Sequence, residues 1–354
     1  MAQSPRNLTR LATAVLIPIL LLGACIYFFK IDLNTFLETW TELNAWYLLP
    51  ALALNVAMLL LRARRWQLIL KSTPDGPRDI GFRSVFGVLT IGYLANQLFP
   101  APSGEVARAV VLSRRQDLTK VHVLSTIVVE RVMDVLAMAP IVLFVVAVIP
   151  LPAWLERLVF LAGLALLAMA VAGVVVHNQR ARFLQAAEAV IRRFSAGAHG
   201  RFVAFSDSLG EGMHILRDLR GLSAVYGYSL GAWVLQLAVV EMVARSLNKP
   251  LDLGLGVILI LLANMGSVMP LGPSNLGTFQ ALAITVLAIF RIKPELALSL
   301  SLVLQAVLFL PVAVLGLEAL WARGLSIESV KEESTLAGPQ GPGSEDSGPA
   351  PPHA

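Results

Sequence analysis

Uncharged apolar runs recur along the chain at residues 11–29, 45–61, 158–176, 222–240 and 296–317. A bilayer core about 30 Å thick needs about 20 such residues per helix, so each run predicts one crossing. A sixth crossing is predicted from about Val121 to Ile149, where residues 135–150 carry no charge but the preceding half carries His122, Glu130, Arg131 and Asp134. Two further apolar segments are interrupted by Pro, Gly and Ser, at ANQLFPAPSGEVAR (residues 95–108) and ANMGSVMPLGPSNLG (residues 263–277). A helix broken at membrane depth frees backbone groups that lipid does not satisfy and that a ligand or polar cavity does. The two breaks are therefore the expected working parts of a transporter-like core.

The limbs around the breaks, residues 84–99 with 105–115 and 253–269 with 277–290, reach roughly 20 to 25 Å at about 1.5 Å per residue. That length predicts two re-entrant hairpins with deep tips, two short spans being the other reading of the pair at 253–269 and 277–290, with the same parity. Lys and Arg collect after the second crossing (Arg62, Arg64, Arg65, Lys71, Arg78, Arg83) and again within residues 177–221, which places both segments in the cytoplasm. Six crossings then leave both termini cytoplasmic, and the hairpins enter from opposite faces. The expected fold class is an all-α integral membrane protein with six crossing helices and two Pro/Gly-broken hairpins forming an inverted repeat, its binding site near the midplane. The membrane domain is taken as residues 1–323. Within it, residues 177–221 are Arg-rich with apolar residues at helical spacing, read as amphipathic helices lying on the anionic cytoplasmic leaflet or as a solvated linker helix. The Gly- and Pro-rich residues 324–354 read as a disordered tail.

Composition agrees with this frame. Of 354 residues, 56% are hydrophobic and 14% charged, with a mean hydropathy of +0.73, far more apolar than a soluble domain. The net charge of +5 and pI near 9.6 would point to nucleic acid in a soluble chain, but here they follow from basic cytoplasmic loops, and no nucleic acid is expected. The single cysteine, Cys25, excludes an intrachain disulfide framework. Leu22–Gly23–Ala24–Cys25 has the form of a lipoprotein cleavage box, but the apolar run continues past it, so a permanent helix is expected.

Candidate chemistry lies in three groups. At the first break Ser103 is a suitable N-cap, Gly104 permits close backbone approach, and the short helix beyond aims its positive end at the tip, where phosphate is bound readily. Glu105 and Arg108 lie one turn apart, either as a surface pair or as headgroup ligands. Glu130 and Asp134 share a helical face with Arg131 beside it, either lining a pathway or locking two helices together. At the second break Asn264, Pro270, Ser274, Asn275, Gly277 and Gln280 offer amides and hydroxyls without charge, suited to neutral headgroup atoms or to closing the bend on itself. The histidines are scattered, and no HExxH, GxSxG or Walker loop occurs, so no catalytic residue, metal or cofactor is expected.

Pro100-x-x-x-Gly104-Glu105-x-x-Arg108, then Glu130-Arg131-x-x-Asp134, then Pro270 through Gly277, resemble in order and spacing the membrane region of the lysylphosphatidylglycerol synthases, the multiple peptide resistance factors. The resemblance covers about residues 10–322. It implies a lipid flippase domain in stand-alone form, moving a lipid or lipid-linked precursor across a bacterial inner membrane. No aminoacyl transfer is expected, because the family's soluble synthetase half has no counterpart here. Relatives commonly carry a basic residue where this chain has Pro102 and an acidic one where it has Gln280, which leaves the substrate and proton coupling open. The expected partner is a membrane lipid with an anionic headgroup, and a homo-oligomer or a lipid-biosynthesis partner is compatible with the resemblance. A lipid-modifying membrane enzyme using Glu105 or Asp134 as a base, and a non-transporting scaffold, are the competing readings.

Overall fold

The computed structural model describes residues 19–74, 76–99, 103–116, 118–148, 219–268 and 276–326, with isolated residues between 153 and 168. All regular structure among the described residues is helical. In chain order the helices are α1 (Ile19–Phe28), α2 (Leu33–Thr41), α3 (Leu48–Ser72), α4 (Phe82–Leu98), α5 (Ser103–Gln116), α6 (Lys120–Val148), α7 (Leu219–Ser246), α8 (Leu253–Val268), α9 (Thr278–Ile289) and α10 (Pro294–Trp321).

Local chemistry explains the boundaries. Asp32 caps α2, its carboxylate accepting from the Asn34 N–H at 2.9 Å. Thr73 and Phe99 are extended at the ends of α3 and α4, and each precedes a proline, Pro74 and Pro100, which disfavours helical geometry in the residue before it. Lys293 is likewise extended before Pro294, the first residue of α10. Gly277 opens α9 at φ +91°, a backbone region that favours glycine, and the Gln280 side chain reaches back to accept from its N–H at 2.7 Å.

The segments 45–72, 219–246 and 294–321 are long and apolar enough to cross a membrane, and a fourth candidate exists if α1 and α2, bent by 111°, form one span. Helix α6 has 29 residues, with Pro140 inside it. The predicted crossing at 158–176, apart from isolated helical residues, the segment 177–218 and the tail from 327 lie outside the described residues, as do Pro100, Pro102, Pro270, Ser274 and Asn275 at the two tips. One boundary differs from expectation. The second run does not stop at Leu61, because α3 continues unbroken through the arginines to Ser72.

Helix α3 packs along α7, α10 along α4, and α4 against α5. Large apolar side chains such as Leu60, Val234, Phe144, Leu310, Val314 and Trp321 face outward, and with apolar residues on the inner faces as well these are helices solvated by hydrocarbon. Asn55, fully buried on α3, donates to the Val307 carbonyl at 2.8 Å and the Leu308 carbonyl at 3.2 Å. These two carbonyls lie in the turn before Pro311, whose missing N–H leaves one acceptor open.

Candidate functional site: a buried guanidinium–carboxylate network

The charged residues that interrupt the apolar pattern converge between α3, α5, α6 and α7. Arg65 and Trp66 come from α3, Arg108 from α5, and Glu130 and Asp134 from α6. Arg65, Arg108 and Glu130 are each at most 2% exposed. Arg65 donates to Glu130 Oε1 at 3.1 Å, to Ser229 Oγ of α7 at 2.9 Å and to Asp134 Oδ2 at 3.3 Å, and also contacts Asp134 Oδ1. Arg108 pairs with the other oxygen of Glu130 and lies 3.8 Å from the centroid of the Trp66 ring. That stacking is a cation–π contact worth about 2 kcal/mol when desolvated. Trp66 is held in turn by its indole N–H, which donates to Thr126 Oγ1 at 3.1 Å.

A more open pair sits beside this core. Arg131 donates to Glu105 Oε1 at 2.6 Å, and its side chain is 56% exposed. The second oxygen of Glu105 accepts from Asn96 Nδ2 of α4 at 3.2 Å, and Asn96 Oδ1 accepts from the Gly104 N–H at 2.7 Å. Helices α4 and α5 approach so closely here that a Cβ on Gly104 would lie 2.1 Å from the Gly92 carbonyl oxygen.

Seven of the expected site residues, Ser103, Gly104, Glu105, Arg108, Glu130, Arg131 and Asp134, are thus brought together, with several corrections. Glu105 does not pair with Arg108 along α5, since both reach across to α6 and find different partners there. Arg108 does not present its guanidinium to a ligand, because Glu130 and Trp66 cover it. The close approach that Gly104 permits is to Gly92 of α4. Ser103 is the first residue of α5 rather than its cap, and its hydroxyl donates to the Ala95 carbonyl at 3.2 Å. The amide that the hairpin frees at Gly104 is satisfied by Asn96.

The second group stands apart. Asn264 bonds within its own helix, to the Ile260 carbonyl at 2.7 Å. Gln280 is fully buried and donates to Gln305 Oε1 while capping α9. The Gly277 carbonyl accepts a long 3.6 Å bond from Cys25 Sγ. None of these bonds reaches the first group, and on this side the described part of the break is closed by its own neighbours.

Sequence reasoning missed Arg65 and Arg62, which it counted among the charges marking a cytoplasmic loop. A signal was present: the buried positions Met58, Leu59, Ala63, Trp66, Ile69 and Leu70 continue helical spacing straight through the arginines. Arg62, one turn before Arg65 and Trp66, donates to Gln236 Oε1 of α7 at 3.0 Å and lies 5.9 Å from the Tyr93 ring and 5.8 Å from the Trp233 ring. Trp233 in turn donates to the Asp134 carbonyl at 3.1 Å.

Known proteins give the chain its place. It resembles glycosyltransferase AglD of Haloferax volcanii at 22% identity over 295 residues, 73% of this chain and 47% of that protein, so it spans about half that relative's length. A UPF0104 membrane protein of Methanocaldococcus jannaschii is 20% identical over 81% of this chain and 87% of its own length. Another, from Methanothermobacter thermautotrophicus, is 21% identical over 79% and 86%. No solved structure matches the chain. The family model described as "Lysylphosphatidylglycerol synthase TM region" matches residues 14–316, a span that contains every residue of the network, and the chain belongs to that family.

Proposed function

We propose that this protein is a lipid flippase-like transporter of the inner membrane, moving an anionic or phosphate-bearing lipid or lipid-linked precursor between leaflets, with both termini in the cytoplasm. The observation that carries this reading is the buried network of Arg65, Arg108, Glu130 and Asp134 on helices solvated by hydrocarbon. Ionisable groups at such depth are costly and mark substrate pathways. The family is named for the membrane region of a lipid synthase, and one relative is named a glycosyltransferase, which supports a lipid or glycolipid substrate.

In this reading α4 with α5 and α8 with α9 are re-entrant hairpins from opposite faces, related as an inverted repeat among six crossings that include α6. Alternating access then rocks one half against the other. The Glu105–Arg131 pair, whose Arg131 side chain is 56% exposed, loosens at the rim of the α5–α6 contact, which the buried Arg108–Glu130 pair holds together. The enzymatic alternative is disfavoured by the same geometry. Both oxygens of Glu105 and of Asp134, the candidate bases, already accept from Arg or Asn donors, which favours their ionised form and makes them weak bases.

Leaflet exchange of fluorescent phospholipids in proteoliposomes tests the proposal. Exchange well above the protein-free rate is expected, falling when cysteines placed at positions 105 and 131 are joined by a short thiol-reactive crosslinker. Exchange equal to that of empty vesicles overturns it.

A further inference from the structure

The turn between α1 and α2 is a complete helix stop. Lys30 takes φ +49°, its N–H donates to the Tyr27 carbonyl at 3.3 Å, and the Ile31 N–H donates to the Ile26 carbonyl at 3.1 Å. This is the bond pair of a Schellman motif, closed by the buried Ile31. Asp32 then opens α2, accepting from the Asn34 N–H and from the Thr35 hydroxyl at 3.0 Å. The 111° bend therefore joins two finished helices and is not a kink in one span. The uncharged run 11–29 already reaches about 28 Å at ~1.5 Å per residue, close to the thickness of a bilayer core, so the crossing does not need α2. Neighbours fix the level at which α2 lies. The Asp32 N–H donates to Glu295 Oε1 at 3.3 Å at the start of α10. Beyond the other end of α2, Asn248 Nδ2 donates to the Glu42 carbonyl at 2.9 Å and the Asn44 N–H to the Ser246 carbonyl at 2.7 Å, where α7 stops. Around the helix axis, Phe36 packs against the core, and Leu33, Leu37 and Trp40 form an adjoining strip that is 54%, 59% and 40% exposed. The exposed Glu38 lies opposite Phe36.

We infer that α2 is an interfacial helix whose strip of Leu33, Leu37 and Trp40 docks on a zwitterionic lipid surface, at the boundary between headgroups and acyl chains. The strip continues the exposed apolar surface of Tyr27 and Phe28 on α1, so one apolar face runs from the hydrocarbon around the turn. The axis turns about 21° beyond perpendicular, so α2 tips back toward the bilayer. Over its nine residues the dip along α1 is about 5 Å, within the depth at which surface helices bury their apolar face. Indole rings favour this level. Trp40, in ring contact with Phe36 at 5.9 Å, and the exposed Trp46 both stand there. From residue 30 to residue 42 a single cation, Lys30, is set against Asp32, Glu38 and Glu42. That balance gives anionic lipid no advantage and leaves apolar burial as the attraction. On the topology proposed above this is the outer leaflet, and the docking does not depend on transport.

Fluorescence quenching at two adjacent positions tests this. In a full-length Cys25→Ala chain, Leu37→Cys on the strip and Glu38→Cys on the far side each carry a small thiol-linked fluorophore. Each variant, with a thermal midpoint matching that of the unlabelled chain, is reconstituted at high lipid-to-protein ratio into phosphatidylcholine vesicles. The lipid is brominated either near the headgroup or near the chain end, and iodide is the aqueous quencher. At position 37, quenching by the shallow bromine is expected to exceed that by the deep bromine severalfold, with shielding from iodide. At position 38 iodide should quench and neither bromolipid should. Replacing half of the phosphatidylcholine by phosphatidylglycerol should leave the pattern unchanged, and a severalfold gain at position 37 would overturn the zwitterionic surface as the partner. Equal responses at the two positions, or deep quenching at position 37 as strong as shallow, which is the mark of a helix inside the span, overturn the inference. Shielding at position 37 that vanishes as the protein is diluted in lipid assigns the strip to a second copy and overturns it too. The expected pattern in a protein that exchanges no lipid leaves the docking intact and overturns transport alone.

Discussion

Glu130 accepts from two guanidinium groups on different helices, one oxygen to each. Its removal therefore differs from the loss of a surface ion pair. In Glu130→Ala, Arg108 keeps only its stacking on Trp66, and a buried charge left without a partner costs about 3 to 5 kcal/mol. A large fall in the thermal midpoint in detergent is expected. Adding Arg108→Met to Glu130→Leu removes the stranded charge while Arg65 keeps Asp134 and Ser229, so the double variant should recover much of that loss. If it also keeps leaflet exchange, the Arg108–Glu130 pair serves packing alone. In the Glu105–Arg131 pair the Arg131 side chain is 56% exposed and that of Glu105 18%. Glu105→Gln keeps an acceptor for Asn96 and leaves Arg131 both partly exposed and 4.0 Å from Asp134, so it should cost stability only about 1 kcal/mol, and its main effect is expected in the exchange rate.

The contact between α4 and α5 depends on two glycines facing each other. A Cβ on Gly104 would stand 2.1 Å from the backbone oxygen of Gly92, whereas a Cβ on Gly81, before α4, would meet nothing within 4 Å. Gly104→Ala must push the two helices apart and pull Arg108 off Trp66, at an overpacking cost of about 1 to 3 kcal/mol or more. Gly81→Ala is the matched control, and thermal midpoints of the two variants should separate clearly. At this scale the helices were legible as apolar runs, and the breaks were legible because proline sets the residue before it in extended geometry. The charged triplet on α6 was legible too, since ionisable residues inside an apolar helix are too costly to face lipid and must turn inward. The pairing was not. Spacing along one helix joins Glu105 to Arg108, but which charge lies opposite is decided by how α5 packs on α6, and no one-dimensional period carries that information. Arg65 was hidden for a related reason, because basic residues that end an apolar run usually mark a loop, and only burial shows that α3 continues through them.

Across the whole molecule, the first helix is tied to a distant part of the chain. Cys25 is 6% exposed, and its sulfur reaches the Gly277 carbonyl, 252 residues away. As the single cysteine, it reports on that junction. Labelling by a small membrane-permeant maleimide should be slow in the folded protein and rapid after denaturation, and rapid labelling of folded protein would show that α1 does not rest on the start of α9. The shared carboxylate has a further consequence, which concerns time. Arg65 is made 65 residues before Glu130, an interval of roughly 3 to 13 s at a synthesis rate of about 5 to 20 residues per second. During that interval neither of its partner carboxylates, Glu130 and Asp134, has been made, so α3 reaches its final depth only once α6 follows it into the membrane. Assembly of this protein therefore has a compulsory order, and the insertion machinery must shelter a bare guanidinium group until its partner is made.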